Sequence, residues 1–238
     1  MPEPHAPIGA RVVGVLGGMG PSATVDFYAK LVRHTPALRD QDHLPVVIWA
    51  DPTVPSRQDA LLAGGADPTP WLEEGVRHLV DAGAQIVVVP CNTIHAYLGP
   101  VMADQPVEFI SIIDTTVEAI RLRGTRRVGL LATDGALASG IFQSAFDASG
   151  IECVLPRPEQ QQKLMRLVEA VKAGPVEHRM RAQVAELLAD LREQGGATTV
   201  AGCTEISTLL SDLDSDEADV IDPALELALR TIERATPR

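Results

Sequence analysis

The chain has 238 residues, 45% of them apolar, which is enough for one large α/β domain or two smaller ones around a substantial core. Its formal net charge of -12, from 32 acidic and 20 basic residues, would repel nucleic-acid backbones and anionic membrane surfaces. We therefore expect neither a nucleic-acid partner nor a membrane partner.

The same composition bears on the compartment. No apolar run approaches the ~20 residues of a membrane helix, and residues 1–10 lack the charged and apolar parts of a signal peptide. These features predict a cytoplasmic protein. The 3 cysteines are an odd number, which argues against a disulfide framework, and a reducing compartment would keep them as thiols.

Eight short, β-rich apolar runs follow one another along the chain and are predicted to be strands. Between most of them lie segments of helical character, with clear helical spacing of apolar residues over 71–80 and 180–191. This alternation predicts an α/β fold whose parallel strands are covered by helices on both faces. The predicted strands are Arg11–Leu16, Val46–Ala50, Ile86–Val89, Phe109–Ile112, Val128–Leu131, Ile151–Leu155, Thr199–Ala201 and Val220–Ile221.

Two segments of the first half recur in the second. Val12–Leu16 resembles Arg127–Leu131, and Val87–Thr93 resembles Thr199–Glu205. The separation from Gly14 to Cys91 nearly equals that from Gly129 to Cys203. A chance likeness between strand–loop–helix units is the alternative, but the agreement of both sequence and spacing favours a duplication.

The repeat also suggests where the halves divide. We expect a boundary after Ile112, with 114–123 forming a crossing helix and the last strand, ending at Ile221, returning to the first half. The predicted domains are therefore an N-terminal α/β domain of residues 1–112 plus 219–238 and a C-terminal α/β domain of residues 113–218. The Asp- and Ser-rich segment 211–219 is predicted to be a solvated connection.

Cys91 and Cys203 each follow a predicted strand, at equivalent places in the repeat. Ligand sites of open parallel sheets form at the carboxyl ends of the strands, so two facing sheets would bring the thiols together. Each cysteine is expected to open a helix, whose N-terminal N–H groups and dipole would lower the pKa of the thiol. Two such groups flanking one carbon are what a racemase needs, because it removes a proton from one face and returns one to the other.

The neighbours of these thiols are polar. Asn92, Thr93 and Thr204 can hydrogen-bond a substrate carboxylate or ammonium, and Glu205 can adjust the proton affinity of Cys203 or receive the ammonium. Buried packing is the more ordinary role for a single cysteine, and Cys153, inside an apolar strand, fits it.

Five motifs, in the same order, are those of the aspartate/glutamate racemases, the pyridoxal-independent amino-acid racemases, and the chain resembles this family from about Val12 to Pro223. They are Gly14–Pro21, Arg39–His43, Pro90–Thr93, Leu130–Gly135 and Ala201–Glu205. The resemblance implies two pseudo-symmetric Rossmann-like or flavodoxin-like domains with the active site in the cleft between them, often in a homodimer, and no cofactor. It implies that Cys91 and Cys203 are the catalytic acid/base pair acting on a small amino acid.

The resemblance further assigns substrate binding to Arg57 and Lys172, whose charges suit carboxylates. Met19 and Thr133 lie within the matching motifs and complete the predicted site. The predicted function is thus a cofactor-independent racemase of acidic amino acids, aspartate or glutamate. A decarboxylase or isomerase of a small dicarboxylate on the same fold, and a non-catalytic small-molecule-binding protein, are the alternatives.

Two other readings of these motifs are weaker. Gly18–Ala23 fits a dinucleotide-binding turn, but the acidic residue that would hold a ribose, Asp51, comes too late in the sequence. We expect this turn to approach a substrate carboxylate instead. Cys91 and His95 are four apart, yet two ligands do not make a metal site, so no metal is predicted.

Overall fold

The computed structural model describes residues 9–174, 178–210 and 219–237. Two four-stranded parallel sheets lie within them, with strand orders β2–β1–β3–β4 and β6–β5–β7–β8. The strands are β1 (Val13–Gly17), β2 (Val46–Ala50), β3 (Ile86–Val88), β4 (Glu108–Ile110), β5 (Arg127–Leu130), β6 (Glu152–Val154), β7 (Thr198–Val200) and β8 (Val220–Ile221).

Helices cover both sheets and fill the connections between strands. They are α1 (Pro21–His34), α2 (Arg57–Leu62), α3 (Thr69–Asp81), α4 (His95–Met102), α5 (Ile112–Leu122), α6 (Asp134–Ser139), α7 (Ile141–Asp147), α8 (Pro158–Ala173), α9 (His178–Glu193), α10 (Thr204–Leu210) and α11 (Pro223–Ala235). The predicted α/β class with two pseudo-symmetric parallel sheets is confirmed. All eight predicted strands are present, two with the predicted ends and the others with ends that differ by at most two residues.

The central strands β1 and β5 carry equivalent glycines, and both are needed for close packing. A Cβ on Gly14 would lie 2.8 Å from Ala84 Cβ, and one on Gly129 would lie 2.9 Å from Leu191 Cδ1. Each is tighter than ordinary side-chain contact, so glycine lets α3 and α9 settle onto their sheets. The matching position in both halves supports the duplication read from the sequence.

The helices α5 and α11 exchange places between the halves. α5, which follows β4, packs against α7 and β8 of the second half, whereas α11, which follows β8, packs against α1, β3 and β4 of the first. The two helices also contact each other. One buried apolar cluster therefore runs through both halves, from Val13 and Phe27 to Phe142 and Leu227.

The last strand is not where the sequence predicted it. β8 pairs with β7 in the second sheet, through Thr199 opposite Val220 and Val200 opposite Ile221, so the expected return of this strand to the first half is wrong. A parallel strand that follows a helical crossover pairs beside the strand before it, which places β8 next to β7. The helix α11, not the strand, crosses back.

Other expectations stay open. The segment predicted to be a solvated connection, 211–219, lies outside the described residues except for Asp219. The domain boundaries remain a prediction. Over the ranges that the structure describes, no helix is long and apolar enough to cross a membrane.

Candidate active site

Both predicted catalytic cysteines lie beyond the carboxyl ends of central strands. Cys91 follows β3 and Cys203 follows β7, and these strands hold equivalent positions in the two sheets. The side chains are free thiols, and their residues are only 7% and 5% exposed. Both line the same cavity, so the two halves bring their thiols to one small space.

This cavity, which we call the catalytic cavity after the predicted role of its two cysteines, is small. The space open to the centre of a water-sized sphere is ≈ 60 Å³. All ten site residues predicted from the sequence line it. The full lining is Met19, Ser56, Arg57, Gln58, Cys91, Asn92, Thr93, Thr133, Lys172, Gly202, Cys203, Thr204 and Glu205.

Two hydrogen bonds join the halves at the cavity. The hydroxyls of Thr93 and Thr133 are 3.1 Å apart, and the Gly135 N–H donates to Gln58 Oε1 at 2.5 Å. Thr133 also caps α6, accepting from the Ala136 N–H at 3.3 Å. These contacts fix the walls of the cavity relative to each other.

Burial and nearby groups act on the pKa of the Cys91 thiol in opposite directions. Burial raises the pKa of the Cys91 thiol, while the Arg57 charge and a hydrogen bond from the Ile94 N–H act to lower it. Burial is the largest of these influences. Cys91 is thus a protonated thiol, and the charge that acts on it most strongly is the Arg57 cation, which favours ionisation.

Cys203 has an acidic neighbour. Its Sγ donates to Glu205 Oε2 at 2.9 Å, and the Thr204 hydroxyl donates to the same oxygen at 3.2 Å. Burial, followed by the charge and the hydrogen bond of Glu205, raises the pKa of the Cys203 thiol well above its ordinary value. Lys172 lies 3.8 Å from Glu205 and partly offsets its charge.

The predicted lowering of both thiol pKa values by helix N-termini is therefore wrong. α10 does begin directly after Cys203, but α4 begins only at His95, four residues beyond Cys91. Because both thiols are almost fully buried, the cost of removing a thiolate from water outweighs the nearby N–H groups.

Arg57 is the first residue of α2, after Ser56, which caps the helix by accepting from the Asp59 N–H at 3.3 Å. The Arg57 Nη1 donates to the carbonyls of Val54 and Pro55, at 3.3 and 3.1 Å. Within the described ranges this guanidinium has no carboxylate partner. It therefore remains available to an anionic group in the cavity.

Asn92 carries an unused acceptor. Its side chain is 3% exposed, and its buried Oδ1 has no hydrogen-bond partner among the described residues. A buried acceptor of this kind costs free energy unless a donor arrives. A bound ligand that donates protons, such as an ammonium, would satisfy it.

His95 is a supporting residue whose role the sequence did not reveal. Its Nδ1 lies 2.8 Å from the Cys91 carbonyl oxygen, and its Nε2 accepts from the Ile112 N–H at 3.2 Å. Since the carbonyl can only accept, the ring is neutral with its proton on Nδ1. The imidazole thereby links the turn at Cys91 to the start of α5 by hydrogen bonds.

The sequence reading also missed Ser56, Gln58 and Gly202 in the cavity lining. Gln58 directly follows the predicted arginine, which was the available signal.

Throughout the described ranges, no group of three or more His, Cys, Asp or Glu side chains could hold a metal ion. Gly18 has a φ of +92° and lies against the backbone of Asp51. A Cβ at this position would be 2.3 Å from the Asp51 carbonyl oxygen, so the backbone here can pack closely only with glycine.

Known proteins match this chain along most of its length. A family model described as Asp/Glu/hydantoin racemase matches residues 16–231. The broad-specificity amino-acid racemase RacX of Bacillus subtilis (strain 168) is 26% identical over 226 residues, covering 93% of this chain and 96% of the relative.

Solved structures give the same picture. The structure of Picrophilus torridus aspartate racemase has a TM-score of 0.85 and 28% identity, covering 96% of this chain and 95% of that one. Francisella tularensis glutamate racemase, in complex with D-glutamate, has a TM-score of 0.67 and 16% identity, covering 95% of this chain and 81% of that one. The second likeness concerns the fold alone.

Proposed function

Since the chain belongs to the Asp/Glu/hydantoin racemase family and is an amino-acid racemase, we propose that Cys91 and Cys203 racemise acidic amino acids by two-base proton transfer. The observation that carries this proposal is the presence of two buried free thiols, one from each half, in a single small cavity. The cavity has room for a substrate of amino-acid size. No cofactor takes part in the proposed reaction.

The proposed reaction moves one proton at a time. One cysteine, as the thiolate, takes the α-proton, and the electron pair of the broken C–H bond stays on the α-carbon and its carboxylate. The other cysteine, as the thiol, gives its proton to the opposite face, so the product has the inverted configuration. The enzyme ends the turnover with the two cysteines' protonation states exchanged.

The surroundings of the thiols suggest how this reaction starts. Cys203 is held as a thiol by Glu205, whereas Cys91 lies near the Arg57 cation. A free enzyme that loses one thiol proton is therefore expected to lose it from Cys91. The enantiomer whose α-hydrogen faces Cys91 then reacts directly with this singly ionised enzyme.

The polar residues of the cavity suit the common part of an amino acid. The unpartnered Asn92 Oδ1 would accept a hydrogen bond from the α-ammonium. The hydroxyls of Thr93 and Thr204 can donate to the α-carboxylate, which takes up charge as the proton leaves. These contacts hold the α-carbon between the two sulfur atoms.

Preference for an acidic side chain rests on Arg57 and Lys172. Both line the cavity, and Arg57 has no carboxylate partner within the described ranges. A side-chain carboxylate would supply that partner, with the guanidinium able to form two parallel hydrogen bonds. The relatives named as aspartate and glutamate racemases support this choice of substrate.

Solvent deuterium exchange tests the proposal. L-aspartate and L-glutamate incubated with the enzyme in D₂O are expected to gain one α-deuterium and to lose optical rotation, as followed by NMR and circular dichroism. Cys91→Ser and Cys203→Ser are each expected to reduce racemisation by at least about 10²-fold, because a hydroxyl is a much weaker acid/base at these positions.

Cys153→Ser is the matched control. Cys153 lies in β6, away from the cavity, and packs against the apolar core, so its variant should keep racemase activity within about threefold. Full activity in Cys91→Ser or Cys203→Ser would refute the two-thiol mechanism. A clear preference for neutral amino acids would refute the role given to Arg57 and Lys172.

A further inference from the structure

A second, larger cavity adjoins the catalytic cavity, and we call it the outer chamber. By the same measure it holds ≈ 490 Å³, against ≈ 60 Å³ for the catalytic cavity. The two spaces share Arg57, Lys172, Thr204 and Glu205 in their linings. These four residues form the wall between them.

The shared wall carries a net positive charge. It has two cations, Arg57 and Lys172, and one carboxylate, Glu205. Glu205 is already engaged by the Cys203 thiol and the Thr204 hydroxyl, besides lying 3.8 Å from Lys172. The guanidinium of Arg57 is therefore the main unpaired charge of this wall, and it faces both spaces.

Beyond the wall the outer chamber is lined by small, uncharged residues. They come from the glycine turn before α1, the first turn of α1, the loop after β2, the end of α8 and the helix α10, and include Gly20, Ser22, Pro52 and Thr208. Apart from the shared wall, no charged side chain among the described residues lines it. This lining can accept the methylene groups of a flexible chain without placing an acidic group against its carboxylate.

The size of the catalytic cavity limits what it can hold. At ≈ 60 Å³, against ≈ 490 Å³ in the outer chamber, it accommodates the reacting centre and a short side chain. A longer side chain has to pass the wall into the outer chamber. From there its distal carboxylate still meets Arg57 and Lys172, because both residues line both spaces.

We infer that the outer chamber is a side-chain subsite, and that the enzyme racemises α-amino dicarboxylates longer than glutamate, with L-2-aminoadipate and L-2-aminopimelate as representatives. The inference rests on the proposed function, since it places the reacting α-carbon between Cys91 and Cys203. The volume beyond Arg57 and Lys172 then determines how long the side chain of a substrate can be.

The test compares α-hydrogen exchange and racemisation of L-aspartate, L-glutamate, L-2-aminoadipate and L-norleucine under identical conditions. Norleucine has a chain of comparable length without the distal charge. We expect kcat/KM for 2-aminoadipate to lie within about tenfold of the better short substrate and to exceed that for norleucine by at least about tenfold.

A variant that fills the outer chamber sharpens the comparison. Ser22 lines the outer chamber but not the catalytic cavity, so Ser22→Trp should lower kcat/KM for 2-aminoadipate by at least about tenfold and that for aspartate by less than about threefold. Ala29→Trp, at an exposed position on the same helix outside both cavities, is the control and should change neither.

The outcomes separate the two claims. If aspartate or glutamate is racemised and 2-aminoadipate is not, or if norleucine equals 2-aminoadipate, the inference is overturned while the proposed function stands. An equal loss for short and long substrates in Ser22→Trp also overturns it. If no amino acid exchanges its α-hydrogen, the proposed function fails and the inference fails with it.

Discussion

The buried imidazole of His95 should make the protein sensitive to mild acid. Burial lowers the pKa of His95 from 6.5 to about 4, and the hydrogen bond to the Cys91 carbonyl opposes this shift only partly. Protonation of Nε2 would also break its bond from the Ile112 N–H. Between pH 6.5 and 4 the unfolded chain therefore binds a proton that the folded chain excludes, and stability falls as the pH falls through this window.

The size of the effect follows from the pKa difference. At about 1.36 kcal/mol for each pKa unit, the difference between 6.5 and about 4 corresponds to roughly 3 kcal/mol below pH 4, of which about 2 kcal/mol is lost between pH 7 and pH 5. For a chain of this length, that loss corresponds to a fall in Tm of about 4–8 °C.

Urea denaturation at pH 7 and pH 5, followed by far-UV circular dichroism at constant ionic strength, measures the effect. His95→Asn should be less stable at pH 7, since it loses part of a buried hydrogen-bond bridge, but its free energy of unfolding should change less between the two pH values by about 2 kcal/mol. His34→Asn, at the exposed end of α1, is the control and should keep the parent's pH dependence. An unchanged pH dependence in His95→Asn would refute the reasoning.

Two further predictions concern the thiol pair and the central glycines. Glu205→Gln removes the carboxylate that raises the pKa of Cys203. In the profile of kcat/KM against pH, the loss of activity at alkaline pH, which we assign to ionisation of Cys203, should therefore move to lower pH. An unmoved profile would contradict the contact between Cys203 and Glu205. Gly14→Ala and Gly129→Ala each place a methyl group 2.8–2.9 Å from a neighbouring carbon. Each should lower the free energy of unfolding by about 1–3 kcal/mol, as measured by chemical denaturation. A loss smaller than the measurement error would contradict the close packing at these glycines.

The strands and the cavity residues were accessible to sequence reasoning because their signals are local. Continuous apolar runs such as 86–89 identify buried parallel strands without any knowledge of their partners. The polar turns after Cys91 and Cys203 repeat in sequence, and both turns line one cavity. The residues carried over by family resemblance, Arg57 and Lys172, also line the cavity.

What the sequence could not give depends on long-range packing. The partner of β8 was assigned wrongly because a two-residue strand carries no information about its neighbour. The return to the first half was predicted for this strand, whereas the helix α11 makes it. The thiol pKa values were predicted in the wrong direction because burial is a property of the assembled cavity. The bridge made by His95 joins positions that only the fold brings together.

The exchange of α5 and α11 has a consequence for how such a chain could arise. A fragment ending with α5 would carry one cysteine and a helix whose apolar face has its partners in the absent half. Two copies of such a fragment could satisfy each other by reciprocal helix exchange, as in a domain-swapped pair, and only then would two thiols face one cavity. Joining the copies in one chain makes that pairing independent of protein concentration.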